Sequence, residues 1–250
     1  MQEFGSRIYL DTETTGGDSD DRLCQIAFLV ETPTLIGYEK PTAHDDLCKP
    51  PKPIGFGAMS VNHITNEMVE NAPSFADSRA AKTLQKLNEP QSVMIIHNAP
   101  FDLAMLEREG FIWRGYVLDT LRAARHLIES DSHALQYLRY ALGLYKDEEE
   151  FSRTIKRKVR AHDAVGDTIV LYLLTQRLLE AHSMEELIAL ADKPVKLRTL
   201  RFGKHKDKSF DEVAHADRGY LVWLLTSERQ KADIDQNKDL IYTIEAHLGS

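Results

Sequence analysis

Only two of the 250 residues are cysteine, Cys24 and Cys48. Two thiols make neither a disulfide framework nor a cysteine-based zinc site, and they fit a reducing compartment. No run of 18 apolar residues occurs, so no transmembrane helix and no membrane partner are expected. The amino terminus, MQEFGSRIYLD, lacks an apolar core of signal-peptide length, and a cytoplasmic location is the expectation. Positive charge is also in short supply. Against 39 Asp and Glu stand 31 Lys and Arg, a net charge of −8. This excludes a polycation that coats nucleic acid with its whole surface, but not a local basic patch.

What remains is the composition of a soluble globular chain, 42% hydrophobic and 28% charged, long enough to bury its own core. Strands are expected at residues 7–11 (RIYLD), at 23–31 (LCQIAFLVE, a longer apolar run with β-branched and aromatic content) and at 92–97 (SVMIIH), the last of the buried type. Between them, residues 32–53 carry five prolines and predict a hairpin and loop. Helices are expected around 64–71, over 74–88 with a cap at Ser74, from Asn98 to about Glu109, and over 119–128, 132–142 and 163–181. The segment KDEEEFSRTIKRKVR predicts a solvated loop or arm. This alternation argues for an α/β layered domain over residues 1–182. A short helix at 184–191 then leads into a basic stretch, with seven Lys/Arg and one Asp between Lys193 and Lys208. The shift in composition marks residues 183–250 as a linker and small basic module.

Four carboxylates stand out by context. Asp11 and Glu13, in DTETTG, close the first strand, and residues two apart in extended chain face one side. Asp102, in HNAPFD, follows the buried strand and opens a helix; Asp167, in AHDAVGDT, lies early in the long amphipathic helix. Singly, these residues read as a turn former, a helix-dipole partner and a solvated surface group. Together they follow strand ends or open helices, where α/β sheets build sites. Carboxylates about 4 Å apart repel by about 4 kcal/mol at an effective dielectric near 20, so such a cluster holds protons or binds cations. Hard oxygen ligands select Mg²⁺, with Mn²⁺ as a substitute, and two such ions clamp both oxygens of a phosphoryl displacement. His162 precedes Asp167 by five residues, about 140° on an ideal helix. It is therefore placed on the loop entering the helix, where a reference pKa near 6.5 suits a base at neutral pH.

DTETTG, HNAPFD and HDAVGD resemble, in order and spacing, the three motifs of the DEDDh branch of the DnaQ-like 3′→5′ exonuclease superfamily. VNHITNEMVENAPSF and VLDTLRAARHL are similar to supporting segments of that family, and the likeness covers residues 7–181. The stretch LRFGKHKDKSFDEVAHADRGYLVWLL resembles the small region that follows the nuclease domain in the bacterial exodeoxyribonuclease X family. The resemblance implies an RNase H-like mixed sheet flanked by helices. It also implies two Mg²⁺ held by Asp11, Glu13, Asp102 and Asp167, His162 as general base, and release of nucleoside 5′-monophosphates. Departures are Gln25, where the family commonly carries Glu, and Asn62, where it carries His.

On this reading Thr12, Thr14 and Thr15 hold the substrate end through backbone and hydroxyls, and Asn98 and Phe101 lie beside Asp102. Core packing is the favoured role for Phe101. Two basic runs, Lys156–Arg160 and Lys193–Lys208, read either as solvated faces or as phosphate neutralisers. Tyr220, Leu221, Trp223 and Leu224 stand at helical spacing and read as a small core rather than a stacking platform. The expected partner is nucleic acid with a free 3′ end, single-stranded DNA above all. The alternatives are a 3′→5′ exoribonuclease on the same site and a non-catalytic nucleic-acid-binding protein on a nuclease fold.

Overall fold

The apolar run LCQIAFLVE becomes β2 (Leu23–Glu31), buried at all nine positions and so a central strand. It pairs antiparallel with β1 (Arg7–Thr14). The computed structural model describes residues 4–157, 164–233 and 236–249. The proline-rich stretch supplies a two-strand hairpin, β3 (Pro33–Thr34) and β4 (Gly37–Tyr38), and then β5 (Thr42–Leu47). After α1 (Phe56–Asn62), α2 (Asn66–Val69) and α3 (Arg79–Leu87) comes β6 (Val93–Ile96), parallel to β1. Next are α4 (Ala99–Arg108) and β7 (Tyr116–Asp119), parallel to β6. Five helices complete the first unit: α5 (Thr120–Leu127), α6 (Leu135–Ala141), α7 (Glu148–Ile155), α8 (Ala164–Leu179) and α9 (Met184–Ala191). The sheet order is β5-β2-β1-β6-β7.

The two faces of this sheet have separate cores. Ile8 and Leu10 of β1 pack with Leu84 of α3 and with Met105 and Leu106 of α4. Tyr9 points the other way and packs with Ile169, Val170 and Leu174 of α8. The two-residue period of the strand therefore assigns Asp11 and Glu13 to the α8 face and Thr12 and Thr14 to the α4 face. Hydrogen bonds from Gln176 Nε2 to Tyr9 Oη (3.2 Å) and from Tyr9 Oη to the buried Glu31 (2.7 Å) fix α8 along the strand.

Several expectations need correction. β1 continues to Thr14, so Asp11 and Glu13 lie inside the strand; its register slips only between Glu13 and Thr14. A strand not expected from the sequence, β7 at 116–119, pairs with β6 at the sheet edge, and the helix expected at 119–128 follows it as α5. Ser78 rather than Ser74 caps the helix at 79–87, its hydroxyl accepting from the Ala81 amide at 3.0 Å. The helix expected at 64–71 is cut to the four residues of α2 and preceded by α1. Most of the expected charged arm is α7, docked through Phe151, whose ring stacks on Tyr172 at 4.4 Å.

The chain divides into two compact units, residues 1–191 and 192–250. The division lies beyond residue 182, because Met184, Leu187 and Ala191 of α9 are buried in the core of the first unit. The second unit holds α10 (Phe210–Ala216), α11 (Arg218–Arg229) and α12 (Lys238–Leu248) around Leu200, Phe210, Val213, Leu221, Leu224, Leu240 and Ile244. Leu221 and Leu224 thus meet the core expectation, whereas Trp223 is 59% exposed. Among the described residues no helix is long and apolar enough to cross a membrane.

His97, which follows β6, bonds Thr120 Oγ1 (3.0 Å) and the His133 carbonyl (2.8 Å), and burial pushes its pKa down to about 4. The unfolded chain protonates this ring near pH 6.5. Its contribution to stability is therefore full above that value and is lost as pH falls toward 4. The wild type should gain stability over His97→Gln as pH rises from about 4 to about 7, on the order of 3 kcal/mol in urea unfolding. A pH-independent difference would contradict this.

Candidate active site

Asp11 and Glu13 lie on the strand face that α8 covers, and Asp167 occupies the first turn of α8. One carboxylate oxygen from each of the three falls within 4.8 Å of the others, and all three side chains are half-buried. Such a trio, drawn from two elements and open on one side, can hold a divalent cation through hard oxygen ligands. The start of α8 is set from the sheet: buried Gln25, opposite Glu13 in the strand register, accepts the Ala164 amide at 3.4 Å. Small Ala27 and Ala164 pack together there, which lets the helix approach closely.

Asp102 stands outside this trio. It is buried in the first turn of α4, and its Oδ1 accepts the Thr12 hydroxyl at 2.7 Å. Thr12 lies between Asp11 and Glu13 but faces the opposite side, so the fourth carboxylate reaches β1 from the α4 face. Burial pushes its pKa up to about 7, against the hydrogen bonds from Thr12. A carboxyl held in this way is poised to lose its proton to an arriving cation. The helix that carries it is positioned by Asp119 at the end of β7. Asp119 Oδ1 accepts the amides of Asn98 (3.1 Å), Leu121 (2.9 Å) and Arg122 (3.3 Å), and Oδ2 accepts that of Ala99 (3.1 Å). One buried carboxylate thereby ties the amino termini of α4 and α5 together. Asn98 takes the left-handed conformation (φ 81°) needed to enter α4, which asparagine tolerates better than most residues.

The threonine hydroxyls are engaged within the protein. Thr12 donates to Asp102, Thr14 to the Gly16 carbonyl (2.7 Å) and Thr15 to Asp21 (2.7 Å). Each of these hydroxyls thus has a partner within the protein. Asp21 organises the acidic loop after β1. It also pairs with Lys52 at 2.8 Å and accepts the Asp18 amide, and these contacts hold its pKa down at about 2. Asn62 is buried and donates to the Thr14 carbonyl at 3.1 Å, so it braces the strand end from below. Phe101 departs from the packing expectation. It is 37% exposed and lies near Gly17, one residue before Asp102 in the chain. Asn98 is exposed as well. His162, Lys158 and Arg160 lie outside the described residues. In the first basic run Arg157 is paired with Asp45 at 2.9 Å.

Sequence reasoning missed a chain of side chains behind Asp167. Gln136 of α6 donates its amide to Asp167 Oδ1. Its own carbonyl oxygen accepts Arg139 Nη1 at 3.1 Å, and Arg139 forms a two-point pair with buried Glu148 at 2.5 and 2.6 Å. The only sequence signal was the i, i+3 spacing of Gln136 and Arg139; the partner Glu148 sits in the segment expected to be solvated. Through Gln136 these bonds orient the Asp167 carboxylate.

Residues 8–175 match the family described as exonuclease. The chain belongs to the exonuclease family. Residues 200–228 of this exonuclease match the exodeoxyribonuclease X-like C-terminal family. A DNA polymerase III subunit epsilon-like protein of Rhodobacter capsulatus is 34% identical over 183 residues, 70% of this chain but only 24% of that protein. Exodeoxyribonuclease 10 of Escherichia coli K12 is 26% identical over 222 residues, 87% of this chain and 90% of that enzyme. Among solved structures, E. coli exonuclease I with a dA16 oligonucleotide superposes with a TM-score of 0.54 at 20% identity, over 74% of this chain and 42% of that one. Exonuclease X in complex with 5′ overhanging duplex DNA gives 0.50 at 21% identity, over 74% and 98%. The mixed five-stranded sheet flanked by helices is thus the RNase H-like fold of exonucleases.

Replacing Gln136 by Leu should leave the thermal midpoint near that of the wild type while weakening divalent-cation binding by about 10- to 100-fold. Titration of Mn²⁺ followed by electron paramagnetic resonance checks this; unchanged affinity would remove the positioning role.

Proposed function

We propose that the chain is a metal-dependent 3′→5′ exonuclease that releases nucleoside 5′-monophosphates from DNA, preferentially single-stranded. The observation that carries the reading is the trio Asp11, Glu13 and Asp167, with oxygens within 4.8 Å of one another in a chain of the exonuclease family. Asp11, Glu13 and Asp167 would hold one Mg²⁺, and Asp102, bonded to Thr12, would complete the ligand set for a second. Mn²⁺ would substitute in the same oxygen set. Bound there, the ions supply positive charge at the scissile phosphodiester and at the oxygens that attack and leave.

The protein's own groups do the rest. Gln136 and Gln25 keep Asp167 and its helix in place. His162, five residues before Asp167, takes the proton of the attacking water, since an imidazole near its reference pKa of about 6.5 is an efficient base at neutral pH. The exposed ring of Phe101 offers a face to the terminal base, and Asn98 beside it offers a side-chain amide. DNA is favoured as substrate because the relative that aligns over most of its own length is an exodeoxyribonuclease.

The test is a side-by-side digestion of 5′-labelled single-stranded DNA, duplex DNA and RNA with Mg²⁺. A stepwise ladder from the 3′ end of DNA, abolished by EDTA and by Asp11→Asn, is the expected result. His162→Ala should slow it by about 10²- to 10⁴-fold. Equal laddering of RNA would overturn the sugar assignment. Undiminished digestion by Asp11→Asn would overturn the site.

A further inference from the structure

The second unit carries a predominantly basic loop in a chain of net negative charge. Seven Lys/Arg and one Asp lie between residues 193 and 208, against a net charge of −8 for the whole. Basic runs are usually solvated and shapeless, but this one is a closed, built loop. A backbone bridge joins Thr199 to Ser209, the Leu200 amide bonds the Lys208 carbonyl at 2.9 Å, and the Asp207 amide bonds the Leu200 carbonyl at 2.7 Å. Leu200 and His205 turn inward and are buried. Asp217, the cap of α11, accepts Lys204 Nζ at 2.6 Å, His205 Nε2 at 2.9 Å and the Tyr220 amide at 3.2 Å. Those donors hold its carboxyl well below the usual range. Gly203 has φ +72°, and a Cβ there would fall 2.3 Å from the Tyr220 hydroxyl, so glycine alone fits.

This framework uses one cation, Lys204, and leaves others on display. Arg198, Arg201, Lys206 and Lys208 are exposed, and among the described residues none forms a salt bridge. Large rings adjoin them. Tyr220 touches Gly203, whose neighbour Phe202 is 45% exposed, and the Tyr220 ring lies 5.6 Å from that of Trp223, itself 59% exposed. Cations carried on a closed loop match a phosphate chain, and exposed rings match bases with open faces, which a duplex hides.

We propose that this surface of the second unit is a binding site for single-stranded nucleic acid, with the loop cations on successive phosphates and Trp223 and Phe202 stacked on unpaired bases. The inference rests on the reading of nucleic acid as substrate, and it adds a contact site apart from the carboxylate centre.

The test uses the full chain in EDTA, with fluorescein-labelled oligo-dT, a blunt duplex of equal length and inorganic polyphosphate as probes. Arg201→Ala/Lys206→Ala/Lys208→Ala should weaken oligo-dT binding by at least about tenfold. It should also lower the slope of log affinity against log salt by about 2, at about 0.7 per phosphate contact. Trp223→Ala should weaken oligo-dT binding by roughly tenfold without changing that slope. Binding of oligo-dT unchanged in both variants would overturn the proposal. Binding of duplex and polyphosphate as tight as oligo-dT, with no effect of Trp223→Ala, would also overturn it, leaving only a polyanion surface. Hydrolysis of the p-nitrophenyl ester of thymidine 5′-monophosphate with Mg²⁺ tests the carboxylate centre separately, and both variants should retain it. Failure of the wild type on the ester would count against the nuclease reading while the EDTA titrations still decide the loop.

Discussion

Like charges held close together constrain the rest of the first unit. Three carboxylates with oxygens within 4.8 Å of one another repel by several kcal/mol at protein-like dielectric, and nothing about an isolated strand or helix would gather them. The surrounding fold must do so. Alternation along β1 sends Asp11 and Glu13 to one face, and the packing of Ile169, Val170 and Leu174 against Tyr9 presses α8 onto that face. The apolar cores thereby impose a polar arrangement that is unfavourable by itself and is relieved by a proton or a bound cation.

The same strand serves the opposite face. Thr12 and Thr14 look into the α4 side, where the Thr12 hydroxyl meets Asp102 and the Asn62 amide meets the Thr14 carbonyl. Residues that interleave with the carboxylates are therefore the means by which the second face is tied to the first. Asp119 performs a related task at the edge of the sheet, because four amides from two helix starts converge on its two oxygens. Helix amino termini favour a carboxylate acceptor, which suits Asp119 to this place, whereas burial raises the pKa of Asp102 in the first turn of α4.

The two units differ in how they use charge. In the first, acidic groups are concentrated and supported by neutral or paired donors such as Gln136 and Arg139. In the second, cations are concentrated on a loop whose shape depends on a single glycine and a single capping aspartate. Opposite charge in separate units suits the proposed function: one set would act on the phosphodiester through cations, and the other would meet the phosphates directly.

Much of this was legible in the chain itself. The buried strands, the long helix at 164–179 and the motif carboxylates follow from apolar periods and from residue types at strand ends, which are local properties. Local pattern could not show that β7 would pair, that α7 would dock through Phe151, or that Asp102 would approach β1 from the other side, since each depends on partners far away in the chain. The bond from Gln136 to Asp167 spans 31 residues and that from Thr12 to Asp102 spans 90. The sequence by itself determined which residues carry the charge and the secondary structure that bears them. Only tertiary structure decided which carboxylates share a face and which hydroxyls are already engaged, because side-chain direction across a sheet is set by what packs on each side.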